Sequence, residues 1–142
     1  MLVSTKGRYA LRVLIDLAEH YTGRYLPMKD VAARQGLSLK YLERIMPLLA
    51  KGNLIDAVHG KGGGYRLKKA PGDITVGEIL RLTEGSLAPI ACLEPDAPVC
   101  PRTAECRTIA MWSRFQKMAD DFFDGVTLAD LVQTDPGDNY VI

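Results

Sequence analysis

The sequence predicts a mainly α chain with a small β-wing: a winged helix-turn-helix head followed by a long C-terminal helix. Three observations predict it. Ala32, Gly36, Leu42 and Ile45 place a small residue, a turn glycine and two apolar anchors at helix-turn-helix offsets. Two short apolar runs, 54–58 and 65–67, then flank the glycine-rich segment 59–64, as in a two-stranded hairpin. Finally, residues 107–124 carry Met111, Phe115, Met118 and Phe122 at steps of four, three and four, the spacing of a helical seam.

The first helix is expected from Thr5 to about Tyr21. Ala10, Val13, Leu14, Leu17, Ala18 and Tyr21 recur at helical spacing and form one apolar stripe. Ser4 or Thr5 can cap its start by accepting a bond from a free backbone N–H. Lys6, Arg8 and Arg12 make that end cationic, Gly23 breaks the helix, and Pro27 opens the next element. A short helix follows over Met28–Gln35, then a turn at 36–38 and a third helix from about Leu39 to Lys51, with Ser38 as its cap. The alternative for this pair is an ordinary helical hairpin. Pro47 lacks a backbone donor, which predicts a kink near 43–47 or a shortened helix.

Leu54, Ile55, Ala57 and Val58 read as one strand, and Tyr65, Arg66 and Leu67 as another, joined by a turn that contains Gly60, Gly62, Gly63 and Gly64. Thr75-Val76-Gly77-Glu78 has the capping-box pattern of a helix that closes near Gly85. All three cysteines, Cys92, Cys100 and Cys106, lie in the Pro-containing stretch after it. Thr127-Leu128-Ala129-Asp130 reads as a capped final turn, and 134–142 as a loose tail. The expected organisation is a head over 1–85, a cysteine loop over 86–106, an association helix and short final helix over 107–133, and the tail.

A net charge of +1 conceals an asymmetry. Residues 1–70 hold 13 Lys and Arg against 5 Asp and Glu, a balance of +8, while residues 71–142 hold 5 against 12, a balance of −7. A basic half points to a polyanion partner, with an unevenly solvated surface as the plainer alternative. No apolar run suits a signal peptide or a membrane span, so the expected location is the cytoplasm, where clustered thiols are metal ligands or redox sensors more often than structural disulfides. No acid–base pair or nucleophile–base pair points to an enzyme, and the glycine run lacks the Gly-Lys-Ser/Thr ending of a phosphate loop.

In a helix-turn-helix the second helix enters the DNA major groove. Its expected contacts are Ser38, Lys40, Tyr41, Glu43 and Arg44, with Lys40 and Arg44 on phosphate or guanine and Glu43 accepting from cytosine. Lys61, with Arg66, Lys68 and Lys69 nearby, suits a shallow phosphate contact from the wing, and Arg8 adds charge at the first helix. The broad stripe of Met111, Trp112, Phe115, Met118 and Phe122, widened by Ala119 and Phe123, exceeds what one small domain can cover, so a partner subunit is the economical solution. Packing within the chain is the alternative.

Over roughly residues 2–133 the chain resembles the IscR-like winged-helix transcriptional regulators. The resemblance rests on Ser4-Thr5-Lys6-Gly7-Arg8-Tyr9-Ala10, on Gly36-Leu37-Ser38-Leu39 with Tyr41-Leu42-Glu43, on Gly60 with Gly62-Gly63-Gly64-Tyr65, on Val76-Gly77-Glu78, and on the three cysteines, Trp112 and Thr127-Leu128. It implies a homodimeric repressor on a palindromic operator in double-stranded DNA. Lys40, Glu43 and His59 would lie near bases, and Cys92, Cys100 and Cys106 would hold an iron–sulfur cluster of [2Fe-2S] or [4Fe-4S] type. The chain departs from its relatives where they keep a fourth ligand: Ile109 stands at the position of a histidine in one branch, and Arg8 at that of an acidic residue in another. The gap between Cys92 and Cys100 is wider than in the best-known members, and His59 replaces a base-reading arginine. Other readings are a winged-helix regulator that answers to a small effector, a partner protein or thiol oxidation, and an iron–sulfur enzyme or carrier.

Overall fold

The computed structural model describes residues 3–132. Six helices and one hairpin follow in the order α1 (Thr5–Glu19), α2 (Met28–Gln35), α3 (Leu39–Lys51), β1 (Ile55–Val58), β2 (Gly64–Leu67), α4 (Val76–Glu84), α5 (Ile109–Asp124) and α6 (Leu128–Val132). The expected loose tail, 134–142, lies outside the described residues.

Helix α1 is the central strut. Its stripe of Ala10, Val13, Leu14 and Leu17 is fully buried, among Val31, Leu42, Ile45, Leu49, Ile79 and Leu128 from the other elements. Each large aliphatic side chain removed from water in this way contributes about 1.5–3 kcal/mol. The start of α1 is fixed from two sides. Ser4 Oγ accepts from Gly7 N, and Glu84 at the end of α4 accepts from both Ser4 N (3.1 Å) and Ser4 Oγ (2.7 Å). Gly7 leaves room for this clamp: a Cβ on it would lie 2.4 Å from Glu84 Oε1, and the carboxylate would have to shift. The helix stops at Glu19, short of the expected end. His20 turns its ring back, with Nδ1 2.8 Å from the Asp16 carbonyl, and Tyr21 is left 47% exposed rather than in the stripe.

Helix α2 closes on Gly36, whose left-handed backbone (φ 63°) lets Leu37 N donate to Ala32 O at 2.9 Å and turns the chain sharply into α3. Ser38 Oγ accepts from Tyr41 N and caps α3. Pro47 does not shorten that helix, which continues to Lys51. Both Pro47 and Glu43, whose carbonyl loses its donor, are exposed, so water can satisfy the free oxygen.

Strands β1 and β2 pair antiparallel from Ile55↔Leu67 to Val58↔Gly64. The expected first strand included Leu54, which instead lies just before β1, fully buried in the core. A bridge between Leu26 and Tyr65, with N···O distances of 2.8 and 2.9 Å, docks the wing on the segment before α2. A Cβ at Gly64 would meet the Leu26 carbonyl oxygen at 2.2 Å, so this approach requires glycine.

Helix α4 begins with the capping box read from the sequence: Thr75 Oγ1 accepts from Glu78 N and Glu78 Oε1 accepts from Thr75 N, both at 3.1 Å. Helix α5 starts at Ile109, two residues later than expected, and crosses α4. At the crossing Arg81 donates to Asp124 (2.7 Å) and Asp120 (3.0 Å), and a Cβ on Gly77 would sit 1.9 Å from Asp124 Oδ1. The chain then returns to the head. Val76 N donates to Val126 O, Leu128 N donates to Ile74 O, and Leu128 is fully buried in the core. Among the described residues, no helix is long and apolar enough to cross a membrane.

Candidate nucleic-acid interface and cysteine cleft

The outer face of α3 carries Lys40, Glu43 and Arg44, all exposed. Ser38 is also exposed, with its hydroxyl oxygen engaged as the cap. Tyr41 is half-buried, its ring set edge-on to Tyr9 with centroids 5.4 Å apart, and Arg12 lies over the Tyr9 ring at 5.4 Å. Arg8 is exposed on α1 and donates to Thr5 Oγ1. His59 and Lys61 stand exposed on the wing turn, where Gly60 (φ 93°) and Gly62 (φ 77°) take the left-handed region.

Two of the cations expected to support the wing's phosphate contact are engaged elsewhere. Arg66 stacks on Tyr25 (4.4 Å), donates to the Gly23 carbonyl (2.8 Å) and faces Asp56 (3.8 Å). Lys69 pairs with Glu78 at 3.2 Å. The Arg66 contacts with Gly23 and Tyr25 bring together segments that are distant in sequence, so no local pattern announces them.

Sequence reading also missed the polar joint behind the turn. Asp16 is buried and takes three hydrogen bonds from Arg34 (2.7–3.2 Å) and one from Gln35 Nε2 (3.0 Å). Arg12 reaches the Gln35 carbonyl oxygen from α1. Burial pushes the Asp16 carboxyl up, but the bonds from Arg34 and Gln35 outweigh it and hold the group below its ordinary value. The signal was present in the sequence: an aspartate between Leu14 and Leu17, inside an apolar stripe, needs a partner.

Cys92, Cys100 and Cys106 are free and exposed. All three line one cleft of about 280 Å³, together with Val99 and Ile109. Arg102 N donates to Cys100 Sγ at 3.4 Å, and Thr108 Oγ1 lies 3.6 Å from Cys106 Sγ. The backbone N–H of Thr108, its hydroxyl and the backbone N–H of Ile109 hold the Cys106 thiol below its ordinary value. Among the described residues, no three His, Cys, Asp or Glu side chains converge closely enough to hold a metal ion. Thiols are soft donors of the kind that ligate iron, and all three line this one cleft. At the fourth position, Ile109 offers the cleft no donor.

Helix α5 buries none of its residues. Met111 (53%), Phe115 (47%), Met118 (69%) and Phe122 (65%) are exposed along it. Trp112 is half-buried, edge-on to Phe115 at 6.5 Å, while Phe123 turns inward against the small cluster of Val76, Leu80 and Leu87.

A head of this design, with a helix-turn-helix and a docked wing, is that of the winged-helix class of transcriptional regulators. Within that class, the Rrf2 family, described as an iron-dependent transcriptional regulator, matches residues 3–134, and the chain belongs to this family. It is 38% identical to protein rrf2 of Nitratidesulfovibrio vulgaris over 133 residues, covering 94% of this chain and 88% of that one. It is 36% identical to the transcriptional regulator IscR of Erwinia tasmaniensis, covering 93% and 79%. Among solved structures, CymR, the global cysteine regulator of B. subtilis, superposes with a TM-score of 0.76 at 34% identity, covering 95% of this chain and 99% of that one. IscR of T. potens gives 0.72 at 34%, covering 94% and 87%. An oxidized form of Staphylococcus aureus CymR gives 0.72 at 32%, covering 95% and 98%. These relatives are named regulators, and the chain is a transcriptional regulator rather than an enzyme.

Proposed function

We propose that the chain is a homodimeric DNA-binding repressor of the cytoplasm whose hold on a palindromic operator is controlled by an iron–sulfur cluster on Cys92, Cys100 and Cys106. One observation carries this reading: three cysteines separated along 92–106 share a single cleft at the start of α5. When bound, the cluster supplies a group whose gain, loss or oxidation serves as the signal.

The chain's own residues do the rest. Cys92, Cys100 and Cys106 would hold the cluster in the cleft beside the start of α5. The Arg81 fork ties α5 to α4, and Glu84 ties α4 to the first turn of α1. A change at the loop therefore meets a continuous run of packed elements down to the head. Ser38, Lys40, Tyr41, Glu43 and Arg44 on α3, with Arg8, His59 and Lys61, form the DNA face. Met111, Trp112, Phe115, Met118 and Phe122 join two copies, with their heads about one helical turn apart, ~34–36 Å on the duplex.

The test is anaerobic reconstitution with iron and sulfide, followed by an absorption spectrum and iron and sulfide assays. We expect a coloured protein with visible charge-transfer bands, and loss of the bands in Cys92→Ala, Cys100→Ala and Cys106→Ala. A colourless, iron-free protein after reconstitution overturns the cluster. It would favour the second reading, control by thiol oxidation, which is supported by the exposure of all three thiols and by the likeness to an oxidized CymR.

A further inference from the structure

Between the first turn of α1 and the middle of α3 runs an open groove of about 640 Å³, walled by Ser4, Thr5, Lys6, Tyr41, Arg44 and Leu48. Its polar groups divide into two sets. Ser4 is committed to Glu84, and Thr5 Oγ1 accepts from Arg8. Lys6 and Arg44 are exposed, and among the described residues neither meets a carboxylate. Tyr41 is held against Tyr9 and lines the same groove. Arg44 lies one helical turn beyond Lys40 on the exposed face of α3, so the groove is continuous with the recognition surface.

Two cations that meet no carboxylate among the described residues line one groove with Tyr41, a set of donors suited to a compact anion with several acceptor oxygens. We propose that this groove seats a single backbone phosphate of the bound duplex, held between Lys6 and Arg44 with the Tyr41 hydroxyl donating. The proposal rests on the DNA-binding reading above and adds a residue, Lys6, that lies outside the recognition helix and the wing. The Glu84–Ser4 clamp and the close approach at Gly7 fix the turn that presents Lys6. The contact therefore positions the head on DNA and carries no base information.

The probes are a duplex selected from a random pool by the parent protein and a scrambled duplex of equal length, each titrated over a range of salt. Lys6→Ala is expected to weaken both by roughly tenfold and to lower the salt slope by about 0.9, the share of one phosphate. Lys6→Arg should keep the slope, and Lys51→Ala, at the far end of α3, should change nothing. Because the two cations share one phosphate, Lys6→Ala with Arg44→Ala should cost less than the sum of the single effects. An unchanged slope in a Lys6→Ala protein whose circular dichroism matches the parent overturns the site, as does strict additivity. If the parent selects no sequence and binds neither duplex, the DNA-binding reading itself falls, and the groove with it.

Discussion

Asp16 is the residue on which the geometry of the reading head turns. It lies in the core yet keeps its charge, because Arg34 and Gln35 at the end of α2 supply four hydrogen bonds to its two oxygens. Those residues immediately precede the turn that launches α3, so a carboxylate on α1 sets where the recognition helix begins. The folded-state pKa lies below the ordinary aspartate value of 3.8. The stability it contributes is therefore fully present above that value and is lost as pH falls through the folded pKa. Asp16→Asn should cost about 2 kcal/mol in chemical denaturation at pH 7. The gap between variant and parent should narrow as pH falls below about 4. An equal gap at neutral and strongly acidic pH contradicts this role.

At the scale of elements, α5 is the odd member: sixteen residues long, amphipathic, and with none of its residues fully buried within the chain. Leaving Met111, Phe115, Met118 and Phe122 in water forgoes burial that a second copy would provide. Sedimentation of the parent should give twice the chain mass. Phe115→Glu combined with Met118→Glu should give a monomer with unchanged helix content, because these side chains support no intrachain core. A monomeric parent at micromolar concentration would remove the dimer. The exposed apolar face of α5 was legible in the sequence because a spacing of four, three and four leaves little choice of face. The stripe of α1 and the Thr75–Glu78 cap were legible for the same local reason. Features set by distant partners were not. Tyr21 continues the α1 periodicity, yet the helix closes at Glu19, with His20 bonded back to Asp16. Arg66 reads as a free cation until Gly23, Tyr25 and Asp56 are brought to it. Pro47 reads as a helix breaker, but it falls on the wet side of α3, where the orphaned carbonyl can meet water.

At the scale of the molecule, the basic half (1–70) and the acidic half (71–142) are joined through α4 and α6: Glu84 accepts from Ser4 at the start of α1, Glu78 pairs with Lys69, and Leu128 returns to the core beneath α1. Within the acidic half, Arg81 on α4 forks to Asp120 and Asp124 on α5 and holds the Asp124 carboxyl below its ordinary range. The cysteines' common cleft was not legible, since sequence spacing alone does not say whether a proline-rich loop gathers its thiols or spreads them. For the loop to act as a switch, its loaded and empty states must favour different arrangements of the two heads, and DNA must discriminate between those arrangements. The most direct measurement is an anaerobic titration of one selected duplex with reconstituted and with iron-stripped protein at fixed salt. The two affinities should differ by about tenfold or more, with Cys92→Ala, Cys100→Ala and Cys106→Ala each binding like the stripped protein. Equal affinities for the loaded and stripped protein would contradict it.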